Sequence, residues 1–333
     1  MGNENDDLAG DRLEQRLREG AREAAEPPVG VEERRPGVEA DAHGPHHATS
    51  SPRWSVVIPT VAGWAHLESA LPPLLAAMSL ADEAVVVGDG RDPAVPPLGD
   101  PRCRVIVHRG RAGFAPACNR GASESRGELL LFLNDDVTVS AGVLDRLEAA
   151  LRAPGVGAVG PNVVSEALGR SESGTRLVWN HGVLEARQLA FAGGGDPAVP
   201  YLCGAAFALR KRDFVRLGGF DERLAPYFWE DVELSLRVRE RVGATIVASG
   251  ATVVHRHGAS ISREPEAKRR IVYERNRLLV TWRHLRGWRW LAHLAWLPLR
   301  LAAGAVRDRA VTLGFPLALL RLATGVRAHA RWN

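Results

Sequence analysis

Four short apolar runs, set apart by helical patterns or turn-rich loops, constrain the fold of this chain more than any other feature. They are WSVVIPT (54–60), AVVVGDG (84–90), CRVIVHR (103–109) and ELLLFLNDD (128–136). Each has strand length and is bounded by proline, glycine or charged residues. Helical spacing lies between them at His66 to Met78, where Pro72 and Pro73 are expected to bend or split the helix, and at Ala115 to Ser125. Strands apolar on both faces, alternating with helices, make a mostly parallel α/β sheet. Ligands of such sheets bind beyond the carboxyl ends of the strands. Asp89 and Asp136 fall at such ends.

The pattern continues with a helix at Val143 to Leu151 and a strand in VGAVGPNVV. Residues 165–200 read as a short hairpin plus a mobile loop. KRDFVRLGGFDE holds a short helix ending near Gly218, and Trp229 to Arg241 is helical. ATIVASGATVVHRHG reads as two short strands with a turn at Gly250. Three segments follow: a disordered, acidic and His-rich tail (1–50), an α/β domain (51–262) and a basic, Trp- and Leu-rich helical region (263–333). The tail carries twelve acids against six arginines and too little apolar surface to offset ordering. The C-terminal region carries fifteen Lys or Arg against four acids.

That basic end suits an anionic membrane surface. No zinc finger, repeat or RNP-like run accompanies it, so nucleic acid is not the expected partner. Trp282, Trp288, Trp290 and Trp296 fit headgroup depth, with Leu291, Leu294, Leu297, Leu301 and Val306 as an apolar face. Arg283, Arg286, Arg289, Arg300 and Arg307 are then expected to meet anionic lipid. Packing on the α/β domain, or a homodimer seam, is the alternative. Cys103, Cys118 and Cys203 form no Cys-x-x-Cys pair, and no apolar stretch opens the chain. A cytoplasmic protein, peripherally held on the inner face of the cell membrane, is the expectation.

The strongest chemical signal is LLLFLNDDV. Adjacent carboxylates closing an apolar strand are costly unless partnered. Mg²⁺ or Mn²⁺ suits them, bridging to a nucleotide diphosphate. Asp136 is the candidate ligand, with Asp135 beside it and Asn134 as a hydrogen-bonding partner. The alternative is that Asp136 or Ser140 caps the following helix. In HRGRAGFAPACNRG, Gly110 and Gly113 permit close backbone approach, and Arg111 can meet phosphate. The run is neither a Walker loop nor a dinucleotide fingerprint. PYFWEDVELSLRVR sets Glu230 and Asp231 behind three aromatics at a helix start. Dipole stabilisation is the plain reading. A proton-accepting base is the chemical one, with Asp231 as base, Glu230 orienting it and Trp229 near the acceptor. In VVHRHGAS, His255 and His257 share a strand face, and His255 is placed to complete a metal sphere begun by Asp136.

Taken in order, VVIPT, GRAGFAPACNRG, LLFLNDD, GAAFALRKRDFVRLGGFDE, WEDVELSLR, HRHGAS and ERNRLL resemble the family 2 glycosyltransferases of GT-A fold, especially the bacterial rhamnosyltransferase-like branch. The resemblance covers roughly Trp54 to Arg286. It implies a GT-A catalytic domain at 51–262 with a nucleotide-binding, mostly parallel sheet and C-terminal amphipathic helices. It implies inverting, Mg²⁺- or Mn²⁺-dependent transfer of a sugar, from dTDP-rhamnose or a UDP-sugar, to a glycan or polyprenyl-linked acceptor in envelope biogenesis. It puts metal at Asp136 and His255 and the base at Asp231. Donor contacts fall on Pro59, Thr60, Asp89, Gly90, Arg111, Gly113, Asn119, Asn134 and Asp135, and acceptor contacts on Gly204, Ala205 and Trp229. Two departures stand out. Gly88 occupies the place of the family's base-binding aspartate, and Thr60-Val61-Ala62 replaces Thr-Tyr-Asn. Competing readings are a sugar nucleotidyltransferase and a non-catalytic GT-A-like binding protein. VVIPTVAGW lacks the glycine-rich basic loop of the first.

Overall fold

The structure is a computed structural model that describes residues 53–60, 64–88, 98–108, 113–191, 194–256 and 264–324. Asp89, Gly90, Arg111, His257 and the tail at 1–50 lie outside the described residues.

The chain opens with β1 (Trp54–Thr60), α1 (Trp64–Ala77), β2 (Glu83–Gly88), β3 (Cys103–Val107), α2 (Phe114–Glu124) and β4 (Leu129–Leu133). β3, β2, β1 and β4 pair in parallel in that order. Then come β5 (Val137–Val139), α3 (Val143–Arg152), β6 (Val156–Ser165) and the short β7 (Arg170–Ser171). β8 (Gly174–Asn180) and β9 (Val183–Leu189) make the hairpin expected after residue 165. β10 (Ala206–Arg210) inserts antiparallel between β4 and β6, and β11 (Ala244–His255) runs parallel to β6. The helices that follow β10 are α4 (Lys211–Leu217), α5 (Glu230–Arg241), α6 (Glu266–His284), α7 (Arg289–Arg307) and α8 (Arg309–Ala323). This mixed α/β sheet flanked by helices is the GT-A-type arrangement implied by the motifs.

Strand periodicity divides the core. Val56, Ile58, Ala84 and Val86 pack with Leu67, Leu71 and Leu74 of α1 and Leu144 and Leu147 of α3. Val57, Val85 and Val87 point the other way, onto α2, α4 and α5. Both faces being covered explains why the runs are continuous and not alternating.

Three expectations change. α1 runs through Pro72 and Pro73 unbroken; its buried Leu67, Leu71 and Leu74 hold it on the sheet against the local loss of a hydrogen bond. Gly250 is not a turn between two strands. β11 is one strand with a bulge, its pairing passing from Ala248 with Pro161 to Thr252 with Asn162. Proline has no N–H for the ladder, and the extra residues sit opposite it. Finally, no side chain caps α3: Gly142 occupies that place with φ 74°, so neither Asp136 nor Ser140 is a helix cap. The three cysteines are free thiols, and burial pushes Cys103 up to about 11 and Cys203 to about 12.

Candidate active site

The carboxyl end of β4 brings the acidic pair to the sheet edge. Asp135 turns toward β1: the Thr60 hydroxyl donates to its Oδ2 at 2.5 Å, and His66 Nδ1 lies 3.8 Å from Oδ1. Burial raises the Asp135 carboxyl above the usual range, with the charge of Asp136 adding to it. Thr60 also pairs in register with Gly88 of β2, so the described ends of β1 and β2 meet beside Asp135. His66 is a group the motifs did not single out.

Asp136 turns toward β11. Its Oδ1 lies 3.2 Å from His255 Nε2, and His255 Nδ1 lies 3.0 Å from Glu172 Oε2. β11 delivers His255 by pairing it with Val137, the residue after Asp136. Burial opposes the imidazolium, but the flanking carboxylates of Asp136 and Glu172 outweigh it and raise His255 to about 9. Among the described residues no set of three or more His, Cys, Asp or Glu side chains forms a metal cage. Mg²⁺ binds through one or two carboxylates plus phosphate oxygens more often than in such a cage. A carboxylate facing an imidazole nitrogen, whose other nitrogen is oriented by Glu172, has the donor chemistry for that arrangement. The group fits the metal. Glu172 is 4% exposed and escaped sequence reasoning.

The second carboxylate pair begins α5. Asp231 Oδ2 accepts from Gly204 N at 2.9 Å, and Oδ1 accepts from Val232 N at 2.7 Å. Ala205 O accepts from Asn134 N at 3.0 Å. Segment 204–205 therefore joins the acidic strand end to Asp231. A Cβ on Gly204 would sit 3.0 Å from Asp231 Oδ2, so only glycine allows this approach without displacement. Gly204→Ala is expected to lower turnover roughly tenfold to a hundredfold by moving the carboxylate, with little change in Tm. Steady-state kinetics beside a melting curve check it; unaltered turnover removes the positioning role. Burial raises both Asp231 and Glu230, and the Asp231 charge raises Glu230 further. Glu230 Oε2 is buried without a hydrogen-bond partner among the described residues.

The loop that presents α5 is held from behind by α6. Asn276 is 0% exposed, and its amide nitrogen lies 2.6–2.9 Å from the carbonyls of Leu224, Tyr227 and Phe228. Arg275 donates to Ala225 O at 2.5 Å and, through Nε, to Asn276 Oδ1. These contacts fix a loop whose Phe228 and Trp229 have φ of 76° and 74°. ERNRLL marked the place in the sequence but not this role, since the partners lie 48–52 residues away. Asn276→Ala is expected to destabilise the protein by about 1–3 kcal/mol for each buried carbonyl left without a donor. Urea denaturation checks it, and an unchanged midpoint contradicts it.

Two expected contacts are differently placed. The Trp229 ring does not line an open cleft: it is 3% exposed, 5.5 Å from the Tyr273 ring, packed with Val183 and Leu278. Its left-handed backbone turns the ring inward. Asn119 is 2% exposed and exchanges hydrogen bonds with Phe220 while donating to Glu222, so it clamps α2 to the loop before α5. Gly113, with φ 85°, sits where a Cβ would lie 2.5 Å from Pro226 Cα, bringing the donor-side loop against the α5 loop.

Residues 55–218 match the sequence profile described as "Glycosyl transferase family 2", a span that includes Asp135 and Asp136 and stops before Asp231 and His255. Over 278 residues the chain is 28% identical to the N-acetylglucosaminyl-diphospho-decaprenol L-rhamnosyltransferase of Mycobacterium tuberculosis, covering 72% of this chain and 87% of that protein. Among solved structures it is similar to GalNAc-T7 with UDP, GalNAc and Mn²⁺ (TM-score 0.54, 18% identity), covering 69% of this chain but only 48% of that one. It is also similar to the mannosyltransferase PcManGT from Pyrobaculum calidifontis in complex with GDP-Man and Mn²⁺ (TM-score 0.51, 18% identity), covering 83% and 77%. At these identities the structures speak to fold alone. With the GT-A-type sheet and the profile match over β1 to α4, the chain belongs to glycosyl transferase family 2.

Proposed function

We propose that this chain is an inverting glycosyltransferase that moves a sugar from a nucleoside-diphosphate donor to a hydroxyl of a glycan or polyprenyl-linked acceptor. The observation that carries the reading is Asp231: a half-buried carboxylate with raised proton affinity, fixed by two backbone N–H groups and tied through 204–205 to the acidic strand end. Asp231 accepts the proton of the attacking hydroxyl, and Glu230, raised by burial and by the Asp231 charge, orients it from the adjacent position. Direct attack needs one base and inverts the anomeric centre, unlike the carboxylate pair of a retaining hydrolase. Asp136 and His255 hold Mg²⁺ or Mn²⁺, which when bound would offset charge on the leaving diphosphate.

Pro59, Thr60, Asn134 and Asp135 form the donor floor, with Gly113 and Asn119 shaping the loop above it. Asp89, Gly90 and Arg111 complete the donor side in this reading. Gly204 and Ala205 meet the acceptor, and Trp229 acts through the loop it anchors. The mycobacterial relative's name points to L-rhamnose as the first donor sugar to try, with an N-acetylglucosaminyl-diphospho-polyprenol as acceptor. The peripheral partner is the anionic inner face of the cell membrane; no helix among the described residues is long and apolar enough to cross one.

A thermal-shift screen of dTDP-rhamnose, UDP-sugars and GDP-sugars tests the donor class. A bound donor raises Tm by mass action. One sugar nucleotide should raise Tm with Mn²⁺ or Mg²⁺ and lose most of that shift in EDTA. No shift with any of them contradicts the reading.

A further inference from the structure

Helices α7 and α8 expose an uncharged surface that the catalytic reading leaves unused. Of 16 exposed large hydrophobic residues among the described ones, 12 lie between Trp288 and Leu322. Every exposed residue from 290 to 306 and from 310 to 323 is apolar. The charges within these spans turn inward: Arg300 reaches toward Glu274, and Arg321 donates to Ala225 O. Exposed arginines stand only at the ends, at Arg286, Arg307 and Arg309. At these exposures the patch is on the order of 1,000 Å², against ~300–600 Å² for the largest patch of a soluble monomer.

The hairpin is docked on the body of the protein. His293 is 2% exposed, with Nδ1 2.6 Å from Gly182 O and Nε2 accepting from Trp282 Nε1 at 2.8 Å. A Cβ on Gly182 would sit 2.8 Å from Trp296 Cβ, so α7 lies directly on the β8–β9 turn. That hairpin in turn bonds the acceptor side, since the Thr175 hydroxyl donates to Tyr201 O, three residues before Gly204. The outer face is thus a surface of the folded molecule.

We propose that α7 and α8 form a monotopic membrane anchor, lying in the plane of the bilayer with this face among the acyl chains and the end arginines at headgroup phosphates. The proposal rests on the membrane partner in the reading above and deepens it. It replaces electrostatic attachment, in which Arg300 faces lipid, by apolar immersion. A protein partner would need roughly one hydrogen bond per 100–200 Å², and this face offers only tryptophan N–H groups. Tryptophans beside end arginines match the headgroup boundary. With 15 residues, α8 is about 22 Å long, short of the ~30 Å hydrocarbon core.

Flotation of the full chain with phosphatidylcholine vesicles, alone or with phosphatidylglycerol, at low salt and in 1 M NaCl tests it. The protein is expected to float with both, and to stay bound in high salt. The double variant Leu294→Glu/Leu317→Glu, at residues 58% and 40% exposed, should lose at least tenfold in bound fraction while keeping wild-type Tm and donor turnover. Binding to anionic vesicles alone that 1 M NaCl abolishes overturns immersion, as does a double variant that floats like wild type. A dimer by light scattering that the variant dissociates, without vesicle binding by either form, assigns the face to a second copy and overturns the anchor. A wild-type chain that floats as expected but turns over no donor leaves the anchor standing and counts against the catalytic reading.

Discussion

Asp231→Asn is expected to lower turnover by roughly 10²–10⁴, the range for a general base, with donor affinity close to wild type. Asn keeps the side-chain shape and one of the two acceptors that bond Gly204 and Val232. What it loses is the ability to take a proton from the attacking hydroxyl. Because burial raises Asp231, the base is ionised only above that raised value, so wild-type turnover should fall on the acid side at a pH above the ordinary carboxylate range. Stability runs in the opposite direction. A folded-state pKa above the unfolded one means the fold holds the proton more tightly. That contribution is complete below the unfolded value and is lost as pH rises through the folded value. The variant lacks this titration at residue 231 and should lose less Tm than wild type as pH rises toward neutrality. Wild-type turnover of the variant at saturating acceptor would remove Asp231 from the chemistry.

Asp136→Ala is expected to abolish transfer and the metal-dependent part of donor affinity. Substitutions that merely orient a metal ligand lose ~10–100-fold in affinity or activity, and deleting the carboxylate should exceed that. Glu172→Gln, which leaves both candidate ligands in place and alters only the partner of His255 Nδ1, should fall within that smaller range. Calorimetric titration of the donor with and without Mn²⁺ reads both variants. Equal metal-dependent binding by Asp136→Ala and wild type would move the metal elsewhere, and a Glu172→Gln protein indistinguishable from wild type would leave His255 without need of orientation.

Much of the site was legible because it lies where strand patterns end. The run WSVVIPT carries β1, and ELLLFLNDD delivers Asp135 and Asp136 just past β4. Apolar runs and strand ends are local, and local patterns survive in a sequence. Glu172 was not legible: it lies 83 residues from His255 in a polar stretch without periodicity, and only the sheet brings them together. Asn276 hid for the same reason. Trp229 was misjudged because aromatic content does not say which way a left-handed backbone turns its ring. Pro72, Pro73 and Gly250 were read by local propensity, which burial of α1 and pairing of β11 with β6 override. The outer face of α7 and α8 depended on which arginines turn inward, and Arg300 finds Glu274 only after folding.

At the centre stands a single inverting displacement, in which an acceptor hydroxyl attacks the metal-bound donor while Asp231 takes its proton. Its most direct test is proton NMR of the product formed from dTDP-rhamnose, or from whichever sugar nucleotide the thermal screen selects, with Mn²⁺ and an N-acetylglucosaminyl-diphospho-polyprenol acceptor. The account predicts a new glycosidic bond of anomeric configuration opposite to the donor's, formed only while the metal is present. A product with the donor's configuration, or the same product at the same rate in EDTA, would contradict it.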